Sequence, residues 1–78
     1  MRVVIAKVDE VLFEGEVYSL TVPGAAGEMT ILGHHEPLIS TLKKGEARVH
    51  LAQGDEPKVF SISGGVLEVN STSATVIL

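Results

Sequence analysis

The chain has 78 residues, no cysteine and a formal net charge of −4, and 45% of its residues are hydrophobic. This length predicts a single domain, residues 1–78, whose stability comes from hydrophobic burial because disulfides and thiolate metal sites are excluded. The acidic balance, with Lys43 and Lys44 as the only basic cluster, argues against nucleic acid, and no apolar run approaches the roughly 20 residues that span a bilayer.

Glycine and proline interrupt the chain every few residues, which leaves no room for long helices and favours short strands. Before Gly15 we predict two strands, because valine and isoleucine favour extended structure, although the apolar residues at 4, 5, 8, 11 and 12 also fit a helical stripe. Residues 18–22 then alternate, with Tyr18, Leu20 and Val22 predicted on one face and the intervening Ser19 and Thr21 on the other.

Two hairpins are predicted in the second half of the chain. Residues 48–51 and 59–63 alternate and are separated by the turn-rich segment 53–57. Residues 66–69 and 74–78 flank Asn70-Ser71-Thr72-Ser73, whose short polar side chains favour a turn.

Ser63-Gly64-Gly65 allows two interpretations, a site of close backbone approach such as a bulge, or a plain hairpin turn. Many short strands at this spacing predict an all-β fold, an antiparallel sandwich or barrel, since a sheet must bury one face and closure removes exposed edges. Its few aromatic residues, Phe13, Tyr18 and Phe60, imply an aliphatic core.

The most conspicuous cluster of potential ligands is His34-His35-Glu36, with His50 as a possible third imidazole for zinc. Adjacent residues of an extended chain point to opposite sides, so the spacing argues against a metal site and favours a loop or interface role. We therefore expect no metal and no cofactor.

Three other patterns are better explained by structure than by chemistry. The loop 24–28 lacks the Lys-Ser/Thr pair of a phosphate cradle, and Ser40, Ser61 and Ser63 lack a general base at a defined spacing. The carboxylates of Glu10, Glu14 and Glu16 are expected on the solvated surface rather than as a catalytic pair. No catalytic residue is predicted.

Taken in order, several segments resemble the epsilon subunit of F-type ATP synthases across nearly the whole chain. The segments that carry the resemblance are FEGEV at 13–17, VPG at 22–24, GEM at 27–29, IL at 31–32, HEPLIS at 35–40 with Leu42 and Gly45, SGGVLEV at 63–69 and ATVIL at 74–78. The resemblance implies a flattened β-sandwich of about ten short strands. It also implies a non-catalytic subunit of the central stalk that couples ion-driven rotation to ATP synthesis.

The resemblance further implies two partners, the gamma subunit and the ring of c subunits, and a peripheral location on the cytoplasmic side of the inner membrane or its organellar equivalent. Positions equivalent to Lys7, His35 and Ser40 lie toward gamma in that family. The loop equivalent to Gly27 and Glu28 faces the c ring. A solvated surface role is the simpler alternative for Lys7 and Glu28.

Members of that family usually continue into a C-terminal pair of helices that restrains ATP hydrolysis, whereas this sequence ends at Leu78, so helical inhibition is not expected of it. Two rival functions stay open at this point. One is a small ligand-binding or carrier β-domain, although no lysine stands at a carrier-type hairpin tip. The other is a metal-dependent enzyme that uses the three histidines.

Overall fold

The computed structural model describes residues 1–33 and 36–78, and within these ranges every regular element is a β-strand. The strands are β1 Arg2–Lys7, β2 Glu10–Glu16, β3 Ser19–Gly24, β4 Gly27–Leu32, β5 Leu38–Leu42, β6 Gly45–His50, β7 Lys58–Ile62, β8 Gly65–Val69 and β9 Ser73–Ile77. The predicted all-β fold class is confirmed. The two N-terminal strands are confirmed as well, and the helical alternative for that stretch is wrong. No helix that could cross a membrane is found in the described ranges.

The strands form one sheet that curls on itself and has two halves. The five-stranded half has the order β2-β1-β9-β8-β5, and the four-stranded half has the order β4-β3-β6-β7. Both predicted hairpins are present, as β6 with β7 and β8 with β9. The pairing departs from a purely antiparallel sheet at one place, because β1 and β9 run parallel.

The two halves meet where β5 passes into β6 along the same edge of β3. Gly24 of β3 pairs with Leu42 of β5, whereas Ser19 to Thr21 of the same strand pair with β6. Across this corner the Lys43 amide donates to the Pro23 carbonyl at 2.9 Å. A Cβ on Gly45 would lie 3.1 Å from the Pro23 ring, so a small residue is favoured where the sheet bends.

Gly65 shows which interpretation of Ser63-Gly64-Gly65 is right. β7 and β8 are not paired with each other, so the plain hairpin turn is wrong. Gly65 has φ +146°, and a Cβ there would lie 2.5 Å from the carbonyl oxygen of Ile77. The glycine is needed because the backbone of β9 comes too close for any side chain.

The core is aliphatic and is supplied by alternate residues of both halves. Its largest fully buried side chains are Val3, Ile5, Leu20, Val22, Val49, Leu67, Val69 and Val76. The predicted alternation in β3 is confirmed for Leu20 and Val22, with one correction. Ser19 and Thr21, on the opposite face, are also only 6% exposed, so this strand is covered on both sides.

Two of the aromatic residues close the seam that the curled sheet leaves open. The strands at the two ends of the sheet order are β2 and β7, and they do not pair with each other. Phe13 of β2 and Phe60 of β7 nevertheless meet edge to face, with ring centroids 6.1 Å apart. Side-chain packing therefore joins the two ends where backbone hydrogen bonds do not.

A double-mutant cycle tests this closure. Phe13→Leu and Phe60→Leu should be less than additive, with a coupling of about 0.5 to 1.5 kcal/mol, because the first substitution already removes the edge-to-face contact. Urea denaturation of the four proteins gives the free energies of unfolding. Ile39→Val, on the outer face, serves as the control and should be additive with Phe60→Leu. Full additivity of the two phenylalanine substitutions would contradict the closure.

Candidate partner-binding surface

The residues predicted to contact partners fall on both halves of the sheet. Lys7 ends β1 and Ser40 lies within β5, so both belong to the five-stranded half. Gly27 and Glu28 begin β4, in the four-stranded half. The two sets predicted for different partners are thus carried by different halves. His35 lies outside the described residues.

Lys7 and Ser40 do not point outward from the five-stranded half. Lys7 alternates with the buried Val3 and Ile5, and its side chain lines a hollow at the end of the sheet together with Lys44. Ser40 is half-buried, and its hydroxyl donates to the Thr41 carbonyl oxygen at 3.0 Å. A partner would reach Lys7 at the end of the sheet and would find Ser40 partly covered.

Gly27 and Glu28 lie at the tip of the β3–β4 hairpin. Gly27 has φ +137°, a backbone conformation that favours glycine. It pairs with Gly24, and a Cβ added to Gly24 would lie only 2.7 Å from the Gly27 carbonyl oxygen. The turn through Ala25 and Ala26 therefore depends on a glycine at each end. Glu28 follows immediately, and its side chain is 61% exposed.

Glu28 is held by an arginine that the sequence analysis did not single out. Its Oε2 accepts a hydrogen bond from Nη2 of Arg48 at 2.8 Å, and Arg48 lies on β6, on the far side of β3. The two residues are 20 positions apart, so only the order β4-β3-β6 brings them together. No local pattern in the sequence could have indicated the pair.

A surface row of mostly apolar residues was also missed. It crosses the outer face of the five-stranded half through consecutive pairing partners on β5, β8, β9, β1 and β2, which are Thr41, Val66, Ile77, Ala6 and Val11. Val66 is 39% exposed, Ile77 53% and Val11 58%, and Ile39 in the neighbouring row is 73% exposed. We call these residues, with Ile39, the outer row. Single exposed apolar residues are ordinary, whereas a contiguous set is a candidate contact surface.

Two of the three carboxylates of β2 have ion-pair partners, and the predicted surface position of all three is confirmed. Glu14 forms an ion pair with Arg2 of the neighbouring strand. Glu16 lies 3.1 Å from the N-terminal ammonium group. Both side chains are exposed, so they are solvated ion pairs rather than members of a buried acid–base pair.

The metal hypothesis finds no support among the described residues. Residues 1–33 and 36–78 contain no group of three histidine, cysteine or carboxylate side chains placed to hold an ion. Within this part of the chain, Nδ1 of His50 lies 3.4 Å from the hydroxyl oxygen of Ser19. His34 and His35, which the hypothesis also needs, lie outside the described residues.

Comparison with known sequences gives one family over the full length. The family described as "ATP synthase, Delta/Epsilon chain, beta-sandwich domain" matches residues 1–78. Proteins named ATP synthase epsilon chain are similar throughout: that of Dichelobacter nodosus is 44% identical and that of Bordetella petrii 39% identical, each over 77 residues. These alignments cover 99% of this chain but 52% and 54% of the relatives, so the chain spans about half the length of the curated relatives it matches.

Comparison with solved structures gives the same fold. A chain of the Euglena gracilis mitochondrial ATP synthase, in a cryo-EM structure of OSCP/F1/c-ring in rotational state 1, matches with a TM-score of 0.85 and 27% identity. That match covers 96% of this chain and 48% of the other. A chain of the Tetrahymena thermophila mitochondrial ATP synthase central stalk/c-ring matches with a TM-score of 0.78 over 99% of this chain and 61% of the other. At 13% identity, the second likeness shows the fold alone.

A pair of adjacent substitutions tests whether the outer row serves the fold. Ile77→Thr should change the free energy of unfolding by no more than about 0.5 kcal/mol, because an exposed side chain contributes little to stability. Val76→Thr should cost about 1 to 3 kcal/mol, because it puts a hydroxyl into the core. Thermal or urea unfolding measures both. An equally large loss for Ile77→Thr would show that the row is structural and is not a free surface.

Proposed function

The chain belongs to the family of β-sandwich domains of ATP synthase delta and epsilon chains, and we propose from that membership that it is a non-catalytic domain of the rotor. It docks on the gamma subunit with its five-stranded half and touches the ring of c subunits with the β3–β4 tip. It thereby helps to couple ion-driven rotation to ATP synthesis. The role is a property of the β-sandwich and draws on no C-terminal helices.

The observation that carries this proposal is the outer row. Val66 and Ile77, on the inner strands β8 and β9 of the five-stranded half, are 39% and 53% exposed and offer apolar area that does not contribute to the core. The buried centre of a protein interface is enriched in such area and depleted of charge. We assign the outer row to the gamma subunit because strands of the same half carry the expected gamma contacts, of which Lys7 is accessible at the end of the sheet and Ser40 faces away from the row.

The β3–β4 tip suits a second, different contact. It is a narrow turn with small side chains at Ala25 and Ala26, and an exposed carboxylate follows it at Glu28. Such a tip can approach a polar loop closely and accept a hydrogen bond from it. Because the tip belongs to the four-stranded half, the c ring and gamma can be bound together.

A coupling role requires a stiff domain rather than catalytic residues. Torque can pass through a body only if its interior does not yield, and closely packed aliphatic cores deform little. Here the core is enclosed by paired strands on both halves, and the Phe13–Phe60 contact closes the seam. Bound to gamma and the c ring, the domain is a peripheral part of a membrane-bound complex and lies on its cytoplasmic side.

The rival function as a ligand-binding or carrier domain has no observation in its favour. Among the described residues, the space between the two halves is filled by side chains with 0 to 7% exposure. A ligand would have to displace that core. The hollows lined by described residues lie at the surface, at the ends of strands.

Two matched valines test the gamma contact. Val66→Asp should weaken binding to the cognate gamma subunit by about tenfold or more, because it puts a charge into an apolar contact. Val59→Asp is the control, since Val59 is 48% exposed on the outer face of the four-stranded half. It should leave the affinity within about twofold, the change expected of a side chain outside the interface. Calorimetry or biolayer interferometry at micromolar concentrations provides the dissociation constants.

Two results would count against the proposal. If the unaltered chain forms no complex with gamma at micromolar concentration, the rotor role fails. If Val59→Asp weakens binding as much as Val66→Asp does, the outer row is not the gamma contact.

A further inference from the structure

We propose that Arg48 is the positioning residue that holds the Glu28 carboxylate in place for contact with the partner at the β3–β4 tip. The inference rests on the proposed function, in which that tip touches the c ring. It adds a residue on a different strand, which contacts the tip through its hydrogen bond to Glu28 and acts through that carboxylate.

The sheet register shows how Arg48 reaches Glu28. Arg48 pairs with Thr21 of β3, while Glu28 pairs with Pro23 of the same strand. β3 lies between β6 and β4, so the two side chains start on opposite sides of a strand and are offset along it by two residues. The arginine side chain must therefore cross the outer face of β3 to make its 2.8 Å hydrogen bond.

The burial of Thr21 agrees with such a crossing. Thr21 is on the outer face of the sheet, yet it is only 6% exposed. Its hydroxyl lies 3.0 Å from that of Thr30 on β4, so it has a polar partner beneath the arginine. The Arg48 side chain is itself 32% exposed, which fits a stem lying along the strand with its charged head at the edge.

Glu28 is the nearer of two carboxylates around Arg48. Glu46, two residues earlier on β6, has Oε1 at 3.9 Å from Nη1, beyond hydrogen-bonding distance. The contact with Glu28, at 2.8 Å, is a charge-assisted hydrogen bond, which fixes direction as well as distance. The arrangement points the guanidinium toward the tip rather than along its own strand.

The hydrogen bond between Arg48 and Glu28 should affect partner binding more than it affects the stability of the fold. An exposed ion pair contributes little to the free energy of folding. A free glutamate side chain, however, loses rotamer entropy when a partner immobilises it, and a side chain that is already held loses less. Arg48 therefore raises affinity at the tip by ordering Glu28 before the partner arrives.

The test uses the assembled complex of c ring and gamma subunit, with the full chain as the binding partner. Arg48→Met and Glu28→Gln should each weaken binding by roughly three- to fivefold, and the double variant should be no weaker than either single one, since both break the same link. Arg48→Lys should recover part of the loss. The charge-matched control Lys58→Met should stay within about twofold, since Lys58 lies on β7, which pairs with neither β3 nor β4.

Amide hydrogen exchange of the unbound chain gives a readout that needs no partner. Arg48→Met should speed exchange at residues 25–28, whereas Lys58→Met should not. If Glu28→Gln weakens binding and Arg48→Met does not, the positioning role is wrong and the rotor role stands. If Glu28→Gln leaves binding unchanged, both the tip contact and the positioning role fail. If the unaltered chain does not bind the complex, the proposed function itself fails.

Discussion

The structure depends on enclosing a thin aliphatic core with a sheet of short strands. The chain has three aromatic residues, so valine, isoleucine and leucine must fill the space between the two halves. A sheet this small can cover both sides of that core only by curling, and it curls at the corner where β3 meets β5 and then β6. Two features accompany the curl: Gly45 and Gly65 let their strands lie close to the Pro23 ring and to the β9 backbone, and Phe13 and Phe60 close the seam.

That constraint decides where function can lie. Because alternate residues of most strands point into the core, the described part of the interior is filled by side chains, and contacts are left to the outer faces and loop tips. The two outer faces differ in chemistry. The five-stranded half presents the apolar outer row, whereas the four-stranded half combines the exposed Val59 and Leu32 with hydroxyl groups and the Glu28–Arg48 ion pair. A body with two unlike surfaces suits a position between two neighbours.

Local patterns in the sequence predicted the strands, because alternation and turn residues act over a few positions. Such patterns predicted the turns at 53–57 and 70–73 and the alternation of Leu20 and Val22. They also indicated that the glycine pair Gly64-Gly65 is unusual within a strand-like sequence. The parallel pairing of β1 with β9 was not predicted, since it joins the two ends of the chain. The outer row needs the register of five strands, and Glu28 with Arg48 needs the order of three, so neither could be read from neighbouring residues. The expected partner contacts at Lys7, Ser40, Gly27 and Glu28 came from family resemblance and stay predictions.

Methyl NMR of the isotope-labelled chain, titrated with the unlabelled gamma subunit, tests the central claim most directly. The account predicts that the methyl signals of Val11, Ile39, Val66 and Ile77 shift or broaden, while those of Val59 and the buried Leu20 stay in place. Changes confined to Val59 and its neighbours would place the gamma interface on the four-stranded half of the sheet, contrary to this account. Changes centred on core methyls, or none at all with gamma in excess, would contradict a rigid domain that binds through its outer face.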